Sequence, residues 1–453
     1  MLNHWMTFHG LIAIAGLIVY VSSSHTLHLR RHPSAAIAWV FSLLLLPYLA
    51  LPLYLMFGSR KVVSHRTAKR EAALRSTDTL IARTQQLAAV MALPEASSYC
   101  DLAVHEDGKQ ALQALRNVIG SARDSIDFCT FIFSHDILGE EVASLLKGKA
   151  RAGIRVRLLV DGVGAYLGVR TNFSELMRSG IQVVLFVPPL RSSLKGRTNL
   201  RNHRKMVIAD GAWLWCGGRN LAADYFEGDD TAPWVDLSFD LHGRLAQQAG
   251  LQFERDWKFA NGSAHRQSTE GMPSELAKGQ LIVSGPDQID DTLYTLLVSS
   301  FFNARKSILA VTPYFVPDPT LLMSLTLAAR RGVEVDLLFP RKSNHRLADM
   351  ARHRALRELT MAGARVWFLP EMIHAKAIVI DDEVAFAGSA NLDQRSLFLN
   401  YEMMIAFYEG NDVHRFSVWI SRRMEKAAPY RARKPKIWRE IAEGMLLWLA
   451  FQL

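Results

Sequence analysis

The first 58 residues follow a different pattern from the rest of the chain. Two long apolar stretches, Trp5–Ser23 (WMTFHGLIAIAGLIVYVSS) and Ala35–Phe57 (AAIAWVFSLLLLPYLALPLYLMF), flank the pair Arg30–Arg31. No Asp, Glu or Lys occurs between Met1 and Gly58. Each stretch approaches the ~20 residues that a helix needs to cross a bilayer core. Pro47 and Pro52 are tolerable inside a membrane helix. A secretory signal peptide would want a basic start, which MLNHW lacks. The pattern therefore predicts two transmembrane helices. Lys and Arg near the span ends set orientation. Arg60, Lys61, Arg66, Lys69, Arg70 and Arg75 outnumber Arg30 and Arg31, which puts both chain ends and the bulk of the protein on the cytoplasmic side.

Beyond a basic, helix-patterned connector (61–100), the chain changes to short apolar runs alternating with amphipathic segments, and it does so twice. SARDSIDFCTFIF (from Ser121) resembles NARKSILAVTPYF (from Asn303). KARAGIRVRLLVD (from Lys149) resembles AARRGVEVDLLFP (from Ala328), and SGIQVVLF (from Ser179) resembles AGARVWFL (from Ala362). Gly153 and Gly332 fit the helix-ending position. Strand, helix, strand, helix, strand is the grammar of an α/β layer fold. The polar run NGSAHRQSTEGMPSELAKG (from Asn261) separates the copies. The expected organisation is a two-helix anchor (1–60), a connector (61–100), two α/β halves with pseudo-two-fold symmetry (101–265 and 266–435) and a tail (436–453). The tail, KIWREIAEGMLLWLAFQL, fits either a helix docked on the domain or one lying in the membrane interface, where Trp is favoured.

Each half closes on the same short stretch. In NHRKMVIADGAWLWCGGRN (Asn202–Asn220), His203 and Lys205 precede a buried-strand pattern. Residues two apart on a strand share a face, so imidazole and ammonium point to one spot. A lone H-x-K of this kind is a solvated strand end. Here IHAKAIVIDDEVAFAGSANLD (from Ile373) repeats it position for position: His203, Lys205, Asp210, Gly217, Gly218 and Asn220 match His374, Lys376, Asp381, Gly388, Ser389 and Asn391.

Charge narrows the partner class. A formal net charge of +10 and a pI of about 9.5 favour anions: nucleic acid, phosphate esters or an acidic membrane surface. Cys100, Cys129 and Cys216 share no metal-ligand spacing and indicate no disulfide framework, so buried free thiols are expected.

Two His-Lys-Asn sets meeting at a shared cleft suit a phosphate diester. Lys205 and Lys376 would supply charge to the non-bridging oxygens, and Asn220 and Asn391 neutral donors, with Ser389 as an extra. One histidine can attack phosphorus to give a phosphohistidine. The other can protonate the departing alkoxide and then deprotonate the acceptor. The scheme requires no metal or cofactor, and the sequence lacks a His/Asp cluster at ligand spacing.

The doubled H-x-K-x4-D resembles the signature of the phospholipase D superfamily, complete in both copies. Within it, the two N-terminal helices, LRNHRKMVIADG (from Leu200), VSGPD (from Val283), TPYFVPD (from Thr312) and the Trp-bearing tail are similar to the bacterial cardiolipin synthases over nearly the whole chain. The resemblance implies two α/β/α halves with the active site between them, His203 as nucleophile and His374 as general acid and base. It implies a carboxylate downstream of each motif to hold the imidazole, for which Asp236 and Glu402 are the candidates. Asp210 and Asp381, part of the signature, look structural, each pairing with a neighbouring basic group. Gly218 stands where the second copy has Ser389; both are candidate phosphate contacts. The implied partners are anionic phospholipids (phosphatidylglycerol, cardiolipin) in a bilayer, not nucleic acid. The alternatives are a phospholipase D releasing phosphatidic acid and a superfamily nuclease, and the membrane helices argue against the nuclease.

Overall fold

The computed structural model describes residues 2–26, 33–58, 60–61, 79–167, 171–188, 197–227, 233–262 and 278–433, with a few more up to 444. Most of the basic connector (62–78), most of the polar linker (263–277) and the end of the tail (445–453) lie outside the described residues.

Two mixed sheets carry the fold. The first runs Cys100–His105, Ser238–His242, Trp213–Gly217, Met206–Ala209, Ser125–Thr130, Arg155–Asp161, Gln182–Phe186. The second runs Gly279–Ser284, Glu402–Phe407, Val384–Gly388, Ala377–Ile380, Ser307–Val311, Glu334–Pro340, Arg365–Leu369, with the short Ala428–Pro429 added at the edge. The order is the same in both, which gives the sequence repeat its structural form. Each half contains a parallel strand–helix–strand unit: Ser125–Thr130, the helix Ile137–Arg151 and Arg155–Asp161 in one, Ser307–Val311, the helix Pro319–Arg330 and Glu334–Pro340 in the other. The helices give way to Gly153 and Gly332, whose φ values of 89° and 88° suit glycine.

The motif strand sits in the middle of each sheet, antiparallel to Ser125–Thr130 in the first half and to Ser307–Val311 in the second. Met206–Ala209 and Ala377–Ile380 are buried throughout, as a strand covered on both faces should be. Alternation divides their side chains. Met206 and Ile208 join the core shared with the second half, whereas Val207 and Ala209 pack with helix Gly108–Ser121 in a core of the first half alone. The helix Leu80–Val90, from the region expected to be a connector, buries Leu80, Thr84 and Ala88 against the second half and so belongs to the domain.

The N-terminal apolar segments are helical, but the second is not one helix. It breaks at Leu46 into Pro33–Leu45 and Pro47–Phe57. Pro47 disfavours the helical conformation at the residue before it, and Leu46 adopts φ −135°, ψ 53°. The three helices (the first is Leu2–Thr26) close around Tyr54, whose hydroxyl meets Ser23 and whose ring contacts Trp39 at 5.1 Å and Tyr20 at 5.5 Å. Among the described residues, no helix is long and apolar enough to cross a membrane.

Candidate active site

The backbone brings the motifs together by two equivalent cross-half pairings. In one, Asn202 lies beside Tyr401 in a parallel bridge and the His203 N–H donates to the Tyr401 carbonyl at 2.9 Å. In the other, Val235 lies beside Ile373 and the His374 N–H donates to the Val235 carbonyl at 2.7 Å. Each histidine is thereby placed against the carboxylate of the opposite half. His203 Nδ1 is 3.0 Å from Glu402, and His374 Nδ1 is 2.7 Å from Asp236. Both carboxylates are fully buried, so each imidazole is held by a charged acceptor that water cannot displace.

The two pairs are supported differently. Ser389 donates its hydroxyl to Glu402 at 2.5 Å and its N–H to the Met403 carbonyl at 2.9 Å. At the matching position, a Cβ on Gly218 would lie 2.2 Å from Asp236 Oδ1, and that oxygen instead accepts from the Leu237 N–H at 2.7 Å. Gly218 and Ser389 therefore act on the carboxylates, and their N–H and hydroxyl donors are already committed within the protein. The motif glycines Gly217 and Gly388 have a steric cause: a Cβ would come within 2.3 Å of the Leu237 carbonyl oxygen and 2.2 Å of that of Met403.

Lys205 and Lys376 are buried beside their histidines. Lys205 donates to the His203 carbonyl at 2.7 Å, and Lys376 to the His374 carbonyl while lying 2.7 Å from His374 Nδ1 and 3.0 Å from Nε2. Asp236 can only accept, so Nδ1 carries the proton and gives it there. The Lys376 ammonium is then a close charge beside the ring. Asn220 donates to the Tyr225 hydroxyl at 2.8 Å, leaving its own side-chain oxygen buried without a partner, as is that of Asn391. These two buried amide oxygens are acceptors, with capacity for a donor such as a hydroxyl.

Burial dominates the electrostatics. It pulls Lys376 down to about 7 and Lys205 to about 8, against the opposing pull of Asp236 and Glu402. His374 falls to about 3, through burial and then Lys376, and His203 also falls, through burial. Burial pushes Asp236 upward, but His374 and Lys376 outweigh it and hold the carboxyl at about 2; Glu402 is likewise held below its usual range by His203 and Lys205. The free site thus holds two neutral imidazoles, two carboxylates and two lysines near their titration points. An anion entering such a site would draw protons onto the lysines and imidazoles. Among the described residues no cluster of His, Cys, Asp or Glu is disposed to hold a metal ion.

Asp210 and Asp381 do something other than expected. Both sit at positive φ (52° and 56°) just after the motif strands. Asp210 accepts from the backbone N–H groups of Arg123, Asp124 and Ser125 at 2.7–2.9 Å, and Asp381 from those of Arg305, Lys306 and Ser307 at the same range. Among the described residues neither pairs with a basic side chain. Both pin the start of the neighbouring strand, at the end of the motif strand away from the histidines.

Several neighbours escaped the sequence reading. Arg204, between His203 and Lys205, points the opposite way. It is completely buried, pairs with Asp256, and donates to the Glu402 carbonyl (3.1 Å) and the Ser284 carbonyl (3.2 Å). Alternation could have flagged it, because Ala375 takes its place in the second copy. Aromatic rings wall the histidines: Phe131 lies 5.2 Å from His203, and Tyr225 and Trp234 lie 5.0 and 5.7 Å from His374.

The comparisons with known proteins agree with this geometry. The family model described as cardiolipin synthase, PLD-like domain, matches residues 115–257 and 297–424, and a phospholipase D-nuclease N-terminal model matches 11–59. Cardiolipin synthase 1 of Bacillus anthracis is 30% identical over 90% of this chain and 87% of its own length. Cardiolipin synthase A of Pseudomonas putida is 30% identical over 93% and 92%. Phosphatidylserine synthase of Haemophilus influenzae Rd KW20 shares the fold, with a TM-score of 0.64 at 12% identity over 82% of this chain and all of its own. On the match of both halves and the near full-length kinship, the chain belongs to the cardiolipin synthase family of phospholipase D-like proteins.

Proposed function

We propose that the protein is a cardiolipin synthase transferring a phosphatidyl group from one phosphatidylglycerol to a hydroxyl of another, with release of glycerol. The observation that carries it is the pair of crossed His–carboxylate contacts, which equips two imidazoles for two jobs. His203, neutral because burial lowers its pKa, attacks phosphorus through Nε2 while Nδ1–H is held by Glu402. The P–O bond to glycerol breaks, and the alkoxide takes a proton from His374. Binding of the anionic diester favours the protonated forms of His374, Lys205 and Lys376, which burial had disfavoured. The second lipid's hydroxyl then gives its proton to His374 as its oxygen displaces His203 from phosphorus. Lys205, Lys376, Asn220 and Asn391 surround the transferred phosphoryl group.

The experiment is purified enzyme with labelled phosphatidylglycerol in mixed micelles. Cardiolipin plus glycerol is expected. Phosphatidic acid plus glycerol would replace transfer with hydrolysis, since water and lipid hydroxyl compete for one intermediate.

The N-terminal helices are the membrane anchor in this proposal, in the bacterial inner membrane with the catalytic part cytoplasmic. Outward-facing Phe8, Leu11, Ile14, Ile18, Phe41, Leu45 and Leu49 support it, since so much exposed apolar surface needs a cover. A cysteine introduced near Arg66 should be shielded from external reagents in intact cells. Deleting residues 1–58 should weaken activity on bilayers far more than on a soluble short-chain diester; equal loss on both would overturn the anchor's role as a tether.

A further inference from the structure

The exit of the N-terminal helices is fastened to the catalytic domain at a particular place. The Arg60 guanidinium donates to Asp291 at 2.6 Å and lies 4.4 Å from the ring centre of Phe398. Lys61 lies 3.0 Å from the same Asp291 and donates to the carbonyls of Gly285 and Asp290, each at 3.2 Å. Four residues before Arg60, the Met56 carbonyl accepts from the Thr198 N–H at 3.2 Å. A freely swinging tether would need none of these contacts. Burial lowers the Lys61 pKa, and the carboxylate beside it opposes that shift.

The contacted residues all lead to one catalytic pair. Phe398 stands four residues before Glu402, on a stretch held by Arg395 bonding both the side-chain oxygen (3.1 Å) and the carbonyl (3.2 Å) of Asn199. Thr198 and Asn199 stand five and four residues before His203. Gly285 packs so closely that a Cβ would meet the Tyr401 Cα at 3.1 Å and the Asn400 carbonyl oxygen at 3.3 Å. Tyr401 is the residue whose carbonyl receives the His203 N–H and whose own N–H donates to Arg201. So Arg60 acts on the segment entering Glu402, and Lys61 acts on the backbone seat of His203. The His374–Asp236 pair, built from 233–236 and 372–374, has no equivalent fastening among the described residues.

We propose that Arg60 and Lys61 are positioning residues for the His203–Glu402 pair: a clamp at the end of the membrane anchor that fixes the nucleophile's half of the active site. The inference rests on the role given to His203 above. It implies that where the helices sit in the membrane and how the nucleophile is aimed are mechanically linked.

The test uses the full-length enzyme in detergent with a soluble short-chain phosphodiester, so that access to a bilayer plays no part. Arg60→Asp is expected to lower kcat about 10- to 100-fold with little change in KM, the scale expected for sub-ångström misplacement of a reacting group. Asp291→Arg should do the same, and Arg60→Asp combined with Asp291→Arg should recover part of the loss, the share carried by the Arg60–Asp291 pair, since Lys61 is left without its carboxylate. Thermal unfolding of each variant separates misplacement from failure to fold, and Asp291→Asn serves as a milder probe if the charge reversals unfold the chain. The proposal is overturned if folded single variants keep wild-type kcat on the soluble diester, or if the charge exchange recovers nothing. Wild-type enzyme run alongside keeps the reaction assignment separate. If it cleaves the diester but forms no cardiolipin from phosphatidylglycerol, the transfer reading fails while the clamp comparison still stands.

Discussion

The two halves share one strand order and one motif, yet the pairs they build are not copies. His203 faces a glutamate that Ser389 supports from below. His374 faces an aspartate lodged so near Gly218 that no side chain fits there. The shorter carboxylate needs the empty glycine position to reach its imidazole, and the longer one leaves room for a serine. Arg204 then ties the first motif to the second half, where the equivalent Ala375 ties nothing. The duplicated fold supplies two scaffolds of the same strand order, and a handful of substitutions at matched positions makes the two His–carboxylate pairs different.

The sharpest way to break this comparison is to remove each imidazole. His203→Ala and His374→Ala should each reduce turnover by a factor on the order of 10⁴–10⁶, because neither half can take over the missing role. Rapid quenching with labelled lipid should place the label on a peptide containing His203. Label on the His374 peptide alone would exchange the two roles.

Because the carboxylates are crossed, Glu402→Gln should damage the first motif and Asp236→Asn the second. Each should cost on the order of 10²–10⁴-fold in kcat with the imidazole still present, by analogy with the loss of a tautomer-fixing carboxylate. In Glu402→Gln the phosphohistidine should form more slowly. Unchanged intermediate formation in that variant would dissolve the pairing.

At the matched small residues the sequence offered a difference without its reason. Gly218→Ala should be the more harmful, since the new methyl group displaces Asp236, and a loss of about 10- to 100-fold is expected for a misplaced acid–base. Ser389→Ala removes one hydrogen bond to a charged acceptor, about 1.5–3 kcal/mol of stability, but displaces neither member of the His203–Glu402 pair, so kcat should fall less. If Ser389→Ala proves the worse of the two, steric room at Gly218 is not what distinguishes the halves.

The lysines sharpen the comparison through pH. Lys376 sits at about 7 and Lys205 at about 8, both drawn down by burial. They carry their charge below those values and lose it as pH rises through them. Since kcat/KM reports the free enzyme, the lysines should steepen its fall from about pH 7 upward, by roughly a further tenfold per unit once a required proton is gone. The acid limb should lie below the 6.5 of a free imidazole, because His203 must be neutral to attack and burial lowers its pKa. A plateau of kcat/KM extending to pH 9 would mean that the lysines are not needed charged.

How much of this was legible follows from what each signal depends on. The repeat, the α/β class and the His-Lys-Asn set are local patterns with fixed spacing, so they could be read directly. Asp236 and Glu402 were named, but their crossing was not, because it arises from the parallel bridges Asn202–Tyr401 and Val235–Ile373, contacts between residues far apart in the chain. Arg204 was not legible because its partners, the Glu402 and Ser284 carbonyls, lie far along the chain. The break at Leu46 was readable from Pro47 alone. The expectation of one continuous helix weighed its apolar length and not the backbone restriction that proline places on the residue before it.

The smallest expected effects belong to the last members of the signature. Asp210 and Asp381 each hold three backbone N–H groups at the start of the adjoining strand, and their partners are structural on both sides. Replacing a carboxylate by an amide leaves one oxygen to accept and introduces donors facing donors. Asp381 is buried, so Asp381→Asn should cost about 1–3 kcal/mol of stability, the penalty for unsatisfied buried groups. Asp210 is exposed, and water can replace what it loses, so Asp210→Asn should cost less. At temperatures where both variants are folded, kcat should stay within a few-fold of wild type, because neither carboxylate touches an imidazole. Thermal unfolding and kcat measured on the same samples decide the matter. A large loss of kcat with an unchanged melting temperature would move these aspartates from the scaffold into the chemistry.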